Sequence, residues 1–177
     1  MRGKFVFFIV LLLALFIAQA EKKQDVWESF KFFEGKWEGK GEGKSGISNV
    51  MHEFHFVLNG KYLRMETKAV FEPQEKNPKG EIHEDIGFFS YDRIREKYVF
   101  RQFHVEGFIN QYTLDSISED GKSFSFVSEQ IENGPPGLRA KLMFDILDDD
   151  DLRVSFHLAF PGREFDCYSI NTLKRKR

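Results

Sequence analysis

Cysteine is almost missing from this chain: Cys167 stands alone among 177 residues. One thiol cannot close an internal disulfide, so stability has to come from a packed core. Glycosylation sequons of the N-x-S/T type are absent. Past residue 20 there is no apolar run approaching the ~20 residues that a membrane-spanning helix needs. An excess of positive charge is missing as well, with 24 Lys and Arg against 28 Asp and Glu from residue 21 onward. That balance argues against nucleic acid as a partner, because phosphate binding needs a basic surface. The sequence has no G-x-S-x-G, no H-E-x-x-H and no paired Cys/His spacing, and Cys167 has no adjacent histidine to activate it. Enzyme chemistry, a metal site and a resident cofactor are therefore not expected from the motifs.

The N-terminus is the first positive feature. Arg2 and Lys4 precede an apolar run from Phe5 to Ile17, and Ala18-Gln19-Ala20 supplies an A-x-A cleavage site. These predict a signal peptide over residues 1–20, cut after Ala20, and a secreted or periplasmic protein with no integral membrane segment after cleavage. The apolar run is too short for a bilayer span, and no cysteine follows it to carry a lipid. Residues 21–177 are then expected to form a single domain.

Val26, Trp27, Phe30 and Phe33 recur at helical spacing, with Asp25 placed as an N-cap and Gly35 as a stop. A short N-terminal helix of about ten residues is expected there. Everything after Gly35 reads as strand. Val50, His52, Phe54 and Phe56 alternate with polar neighbours, Asn59-Gly60 follows, and Leu63, Met65, Thr67, Ala69 and Phe71 alternate again. Two alternating runs around Asn-Gly mark a hairpin, since both turn positions take positive φ. Eight further strands are expected: 36–43, 82–91, 98–105, 108–118, 123–131, 138–146, 152–160 and 165–175. Ten sequential strands joined by tight turns, with no second helix for a crossover, predict an all-β, antiparallel up-and-down barrel. Closure removes the exposed edges. A two-sheet sandwich is the structural alternative.

Seventeen of the 21 phenylalanines lie beyond residue 20. Most are expected in the core, yet strand alternation puts some on each face, as at Phe88 and Phe89, so an apolar lumen is a possible ligand cavity. His52 and His55 fall on opposite faces of their strand and cannot share an ion. His83-Glu84-Asp85 is the densest polar group, and an ion pair with Arg101 or Arg64 is its expected structural account. A His83–Glu84 acid/base pair is the rival. Asp148 to Asp151 lacks the ligand spacing of a calcium loop and reads as a solvated turn. Lys174 to Arg177 reads as a solvated tail.

Gly35-Lys36-Trp37-Glu38-Gly39-Lys40-Gly41-Glu42-Gly43 resembles the opening strand of nitrobindin-like calycin barrels, with Trp37 at the barrel floor. Ile82-His83-Glu84, Gly87 to Asp92 and Lys97 to Arg101 are similar to exported, uncharacterised barrels of that superfamily. Ile170 to Arg175 resembles the last strand of both. The resemblance implies a calycin-like barrel and, through nitrobindins, a haem held by a histidine in the last strand. Here that stretch is Asp166-Cys167-Tyr168-Ser169, so a haem would need Tyr168 or Cys167 as its donor.

The expectation is thus an exported barrel binding a small, mainly apolar molecule, with Trp37, Phe54, Arg101, His104 and Tyr168 lining or anchoring the site. A filled barrel acting through its surface, and a haem protein with a non-histidine ligand, are the alternatives. Oligomeric state is not legible.

Overall fold

The computed structural model describes residues 25–177, so the expected signal peptide lies outside the described residues. A 3-10 helix at Glu28–Phe33 leads into ten antiparallel strands. They are β1 (Gly35–Gly43), β2 (Gly46–Val57), β3 (Tyr62–Phe71), β4 (Glu81–Asp92), β5 (Lys97–His104), β6 (Ile109–Ile117), β7 (Ser123–Glu132), β8 (Arg139–Ile146), β9 (Asp151–Ala159) and β10 (Asp166–Lys176). Each strand pairs with its neighbours in sequence, and β10 returns to β1 to close the barrel. The sandwich alternative is excluded.

The hairpin forecast at Asn59-Gly60 forms, but Val57 pairs with Tyr62 across a four-residue loop rather than a two-residue turn. Leu58, Asn59 and Gly60 carry φ of 52°, 58° and 71°. The left-handed bend therefore spans three residues, one of them a leucine left in solvent.

The N-terminal helix differs from the forecast too. It is a 3-10 helix of 6 residues, not an α-helix of about ten. Trp27, Phe30 and Phe33 recur every third residue, and at three residues per turn such side chains eclipse on one side. Asp25 still acts at its start, where Oδ1 accepts the Trp27 N–H at 3.0 Å.

That stack of rings plugs one end of the barrel. Phe30 is fully buried, with ring centroids 4.6 Å from Tyr98, 5.3 Å from Phe124 and 5.9 Å from Phe89. Phe33 lies 5.7 Å from Phe54 and 5.5 Å from Phe144. Burying rings of this size contributes about 2–3 kcal/mol each. Trp37 Nε1 donates to the Phe33 carbonyl at 2.8 Å. Arg175 latches the plug: its guanidinium donates to the carbonyls of Glu34 (2.8 Å) and Phe32 (2.7 Å) and lies 4.1 Å over the Trp37 ring.

The two charge runs meet at this same end. Lys174 pairs with Asp151 at 2.6 Å, and Arg177 pairs with Asp150 at 2.6 Å. The basic run expected as a solvated tail is the exposed end of β10, and the acidic run expected as a solvated turn is its counter-charge.

Toward the other end the glycines of β1 let neighbouring strands and side chains close in. The inward positions of β1 run Trp37, Gly39, Gly41 and Gly43, so only the first carries a side chain inward. A Cβ on Gly41 would stand 2.5 Å from Asn171 Oδ1 and 2.6 Å from Ser48 Oγ. No helix among the described residues is long and apolar enough to cross a membrane.

Candidate ligand-binding lumen

Beyond the aromatic floor a cavity of about 420 Å³ opens between the turns at the far end. This removes the premise of a filled barrel, since such a volume holds on the order of a dozen waters. One side is apolar, with Met65, Ala69, Leu142, Val154, Phe156 and Leu158. The facing side is polar, with His83, Asp85, Gln102, His104 and Asn110 from β4, β5 and β6.

Strand register builds the polar side. His52 on β2 is opposite Thr67 on β3, Thr67 is opposite Asp85 on β4, and Asp85 is opposite His104 on β5. Side chains directly opposite on one face are neighbours, so a polar row crosses four strands just above the floor. Three of its atoms, His52 Nδ1, Thr67 Oγ1 and Asp85 Oδ1, are buried without a hydrogen-bond partner. Native interiors hold few such atoms, and each calls for an account.

The electrostatics of the row follow from its surroundings. Burial pushes His52 down to about 4, with the Asp85 charge acting the other way. Its Nε2 has Asn171 Nδ2 at 3.4 Å. Hydrogen bonding to Asp85, against burial, lifts His83 to about 9. Burial works against the Asp85 carboxylate, but the donors of His104 and His83 outweigh it and hold the group at about 2. Asn110 Nδ2 is 2.9 Å from His104 Nε2 and donates to the Tyr112 hydroxyl at 2.9 Å. Burial raises that phenol above its ordinary range.

Of the five residues singled out from sequence, the structure brings two to the lumen. His104 lies in the polar row, and Tyr168 stands at the mouth, edge-on to Phe156 at 5.9 Å with its hydroxyl 3.4 Å from Ser45 Oγ. Trp37 and Phe54 are fully buried in the floor, below the open volume. Arg101 is corrected more sharply: it projects from the outer face and donates to Ser90 Oγ at 3.3 Å. Phe100, not Arg101, took the inward position, stacking on Phe89 at 4.0 Å. The His83 ion pair forms, but with Asp85 and Glu106 rather than Arg101 or Arg64. Glu84 points outward to Lys68 at 2.8 Å, so a lumenal His83–Glu84 pair does not exist.

Sequence reading missed Thr67, Asp85, Gln102 and Asn110 as lumenal groups. The signal available for Asp85 was its i, i+2 relation to His83, which places both on one strand face. Cys167 is half-buried in a shallow outer cleft beside Lys40, Lys44 and Lys76, not in the core.

A haem held from the last strand does not fit these residues. β10 bulges between Cys167 and Ser169. Tyr168 then lines only the mouth of the lumen, Cys167 faces the outer cleft, and Ser169 and Asn171 supply the other lumenal side chains of this stretch.

Closure, strand order and a one-ended cavity define a calycin-like β-barrel. Among solved structures the chain is similar to Rv2717c from M. tuberculosis, at 16% identity and a TM-score of 0.62, covering 85% of this chain and 97% of that one. It is also similar to the S-type phycobiliprotein lyase CPES from Guillardia theta, at 14% identity and a TM-score of 0.52, covering 88% and 94%. No family model and no curated protein sequence matches it.

Proposed function

We propose that the barrel is a binding protein for a small molecule with an apolar body and one hydrogen-bonding end. One observation carries this: a cavity of about 420 Å³ has an apolar wall and, facing it, buried polar atoms that lack partners. A ligand lying across the lumen would bury its body on Leu142, Val154 and Phe156 and present its polar end to His52 and Thr67. Pockets of this size and mixture are typical of small-molecule sites. The proposal includes export: residues 1–20 act as a signal peptide, and the barrel works outside the cytoplasm. Kinship with nitrobindin-like barrels is part of the same reading, on the opening, central and final strand motifs, without their haem.

Titration with an uncharged solvatochromic dye such as Nile red tests the site. One dye per chain with blue-shifted emission is expected. Leu142→Trp or Ala69→Leu, each checked for an intact unfolding transition, should weaken binding at least tenfold. Equal affinity in a folded, lumen-filled variant overturns the proposal. Export is tested by the mass of protein recovered from its host, which should begin at Glu21.

A further inference from the structure

His83, Asp85 and His104 converge on one point in the lumen wall, and their donor atoms are arranged for more than an ion pair. His83 Nε2 lies 3.2 Å from Asp85 Oδ1, and His104 Nδ1 lies 2.6 Å from the same oxygen. Asp85 is only 7% exposed, and Oδ1 makes no well-formed hydrogen bond although both imidazoles stand close to it. A buried carboxylate oxygen facing two imidazole nitrogens is the geometry of a cation site.

The surrounding shell favours ligation over mere pairing. Glu106 Oε1 lies 2.6 Å from His83 Nδ1. In the metal-free barrel His83 Nε2 also hydrogen-bonds Asp85 Oδ2 at 3.2 Å, so that proton leaves as the ion binds, while Glu106 keeps the Nδ1–H and the ring's orientation, the carboxylate–histidine arrangement found behind metal ligands. Gln102 Nε2 donates to Asp85 Oδ2 at 3.2 Å and makes no hydrogen bond to Oδ1. Asn110 supports His104: with its amide turned about, one oxygen accepts from both Tyr112 OH and His104 Nε2–H, which turns the Nδ1 lone pair to Asp85. Amide oxygen and nitrogen are interchangeable at such a site until the network decides.

We propose that His83 Nε2, Asp85 Oδ1 and His104 Nδ1 form a three-ligand site for a divalent transition-metal ion of borderline softness, zinc foremost, with its fourth position open to the lumen. Two imidazoles and one carboxylate are a donor set that such ions take. Tetrahedral bonds of ~2.0–2.1 Å place neighbouring ligand atoms about 3.3 Å apart. His83 already meets that spacing, and His104 reaches it by withdrawing roughly 0.7 Å from Asp85. The site does not depend on the lumen taking an apolar ligand, because the metal alone is the probe.

Calorimetric titration of chelator-stripped protein with zinc should show one ion per chain. Asp85→Asn and His104→Ala should each weaken binding at least 100-fold, and Glu106→Gln 10- to 100-fold through the orientation of His83. Zinc bound equally well by the folded His83→Ala/His104→Ala double variant, or less than one ion per unaltered chain, overturns the proposal. Cobalt(II) gives a readout that needs no variant: intense visible d–d bands of four- or five-coordination support the site, and the weak bands of six-coordination overturn it. A chain that takes zinc but no dye keeps this site and loses the proposed function, and the converse holds equally.

Discussion

At the closed end of the barrel the rings of Phe30, Phe33 and Phe54 all find partners, while in the lumen just above them three buried polar atoms find none. One wall of β-strands makes both regions. The closed end is stabilised by large apolar burial and by the Arg175 latch, and its side chains fill the space between them. The open end is ordered by the same strands, yet its inward positions are small or polar. Stability and binding capacity are thus separated along the barrel axis, and each can be perturbed with little effect on the other.

The largest effect should come from the floor. Phe30→Ala removes a fully buried ring and is expected to destabilise by about 3–5 kcal/mol in urea unfolding. Phe156→Ala, a half-buried residue of the lumen wall, should instead change dye affinity and cost less than about 1.5 kcal/mol. Similar losses for both would break the division between the ends.

Acid comes next. His52 titrates at about 4 when folded against 6.5 as its ordinary value. The unfolded chain takes up this proton first, so stability falls as pH drops below 6.5, by up to about 3 kcal/mol near pH 4. Above pH 7 the residue contributes no slope. His52→Gln should flatten that part of a stability–pH curve, and an unchanged curve would show that the imidazole is not held neutral.

Arg175→Lys keeps the charge but loses the fork to the Phe32 and Glu34 carbonyls. A loss of about 1.5–3 kcal/mol is expected at the floor, with dye and zinc affinity unmoved. The smallest change has the opposite sign. Thr67→Val removes a buried hydroxyl without a partner, and the barrel should gain up to about 1 kcal/mol while binding polar-ended ligands less well. Loss of stability there would mean that Thr67 has a partner after all.

Much of the fold was legible in the sequence because alternation and turn residues are local. The strand bounds deduced from Val50 to Phe71 hold to within a few residues. The loop at Leu58 to Lys61 was misjudged in length, since Asn-Gly reports a left-handed bend without fixing how many residues share it. The 3-10 helix was misread because 27, 30 and 33 fit a loose helical pattern as well as a period of three. The lumen was the least legible part. Whether His52 meets Thr67, and Thr67 meets Asp85, depends on register summed over successive hairpins, and no single stretch of sequence carries that. Arg101 shows the same limit: adjacent to Phe100, it could face either way until the floor claimed the ring.

β1 and β10 close the ring, although they are the first and the last strands of the described residues. During synthesis Gly35 exists long before Ser169, so the closing partner is the last to arrive. Until it does, β1 and β9 present unpaired edges and the plug lacks its Arg175 latch. Contacts this distant in sequence form slowly. A barrel that cannot close until β10 has been made therefore leaves its floor unlatched and two strand edges open through most of its synthesis, and those edges are where a stalled or truncated chain would pair with another.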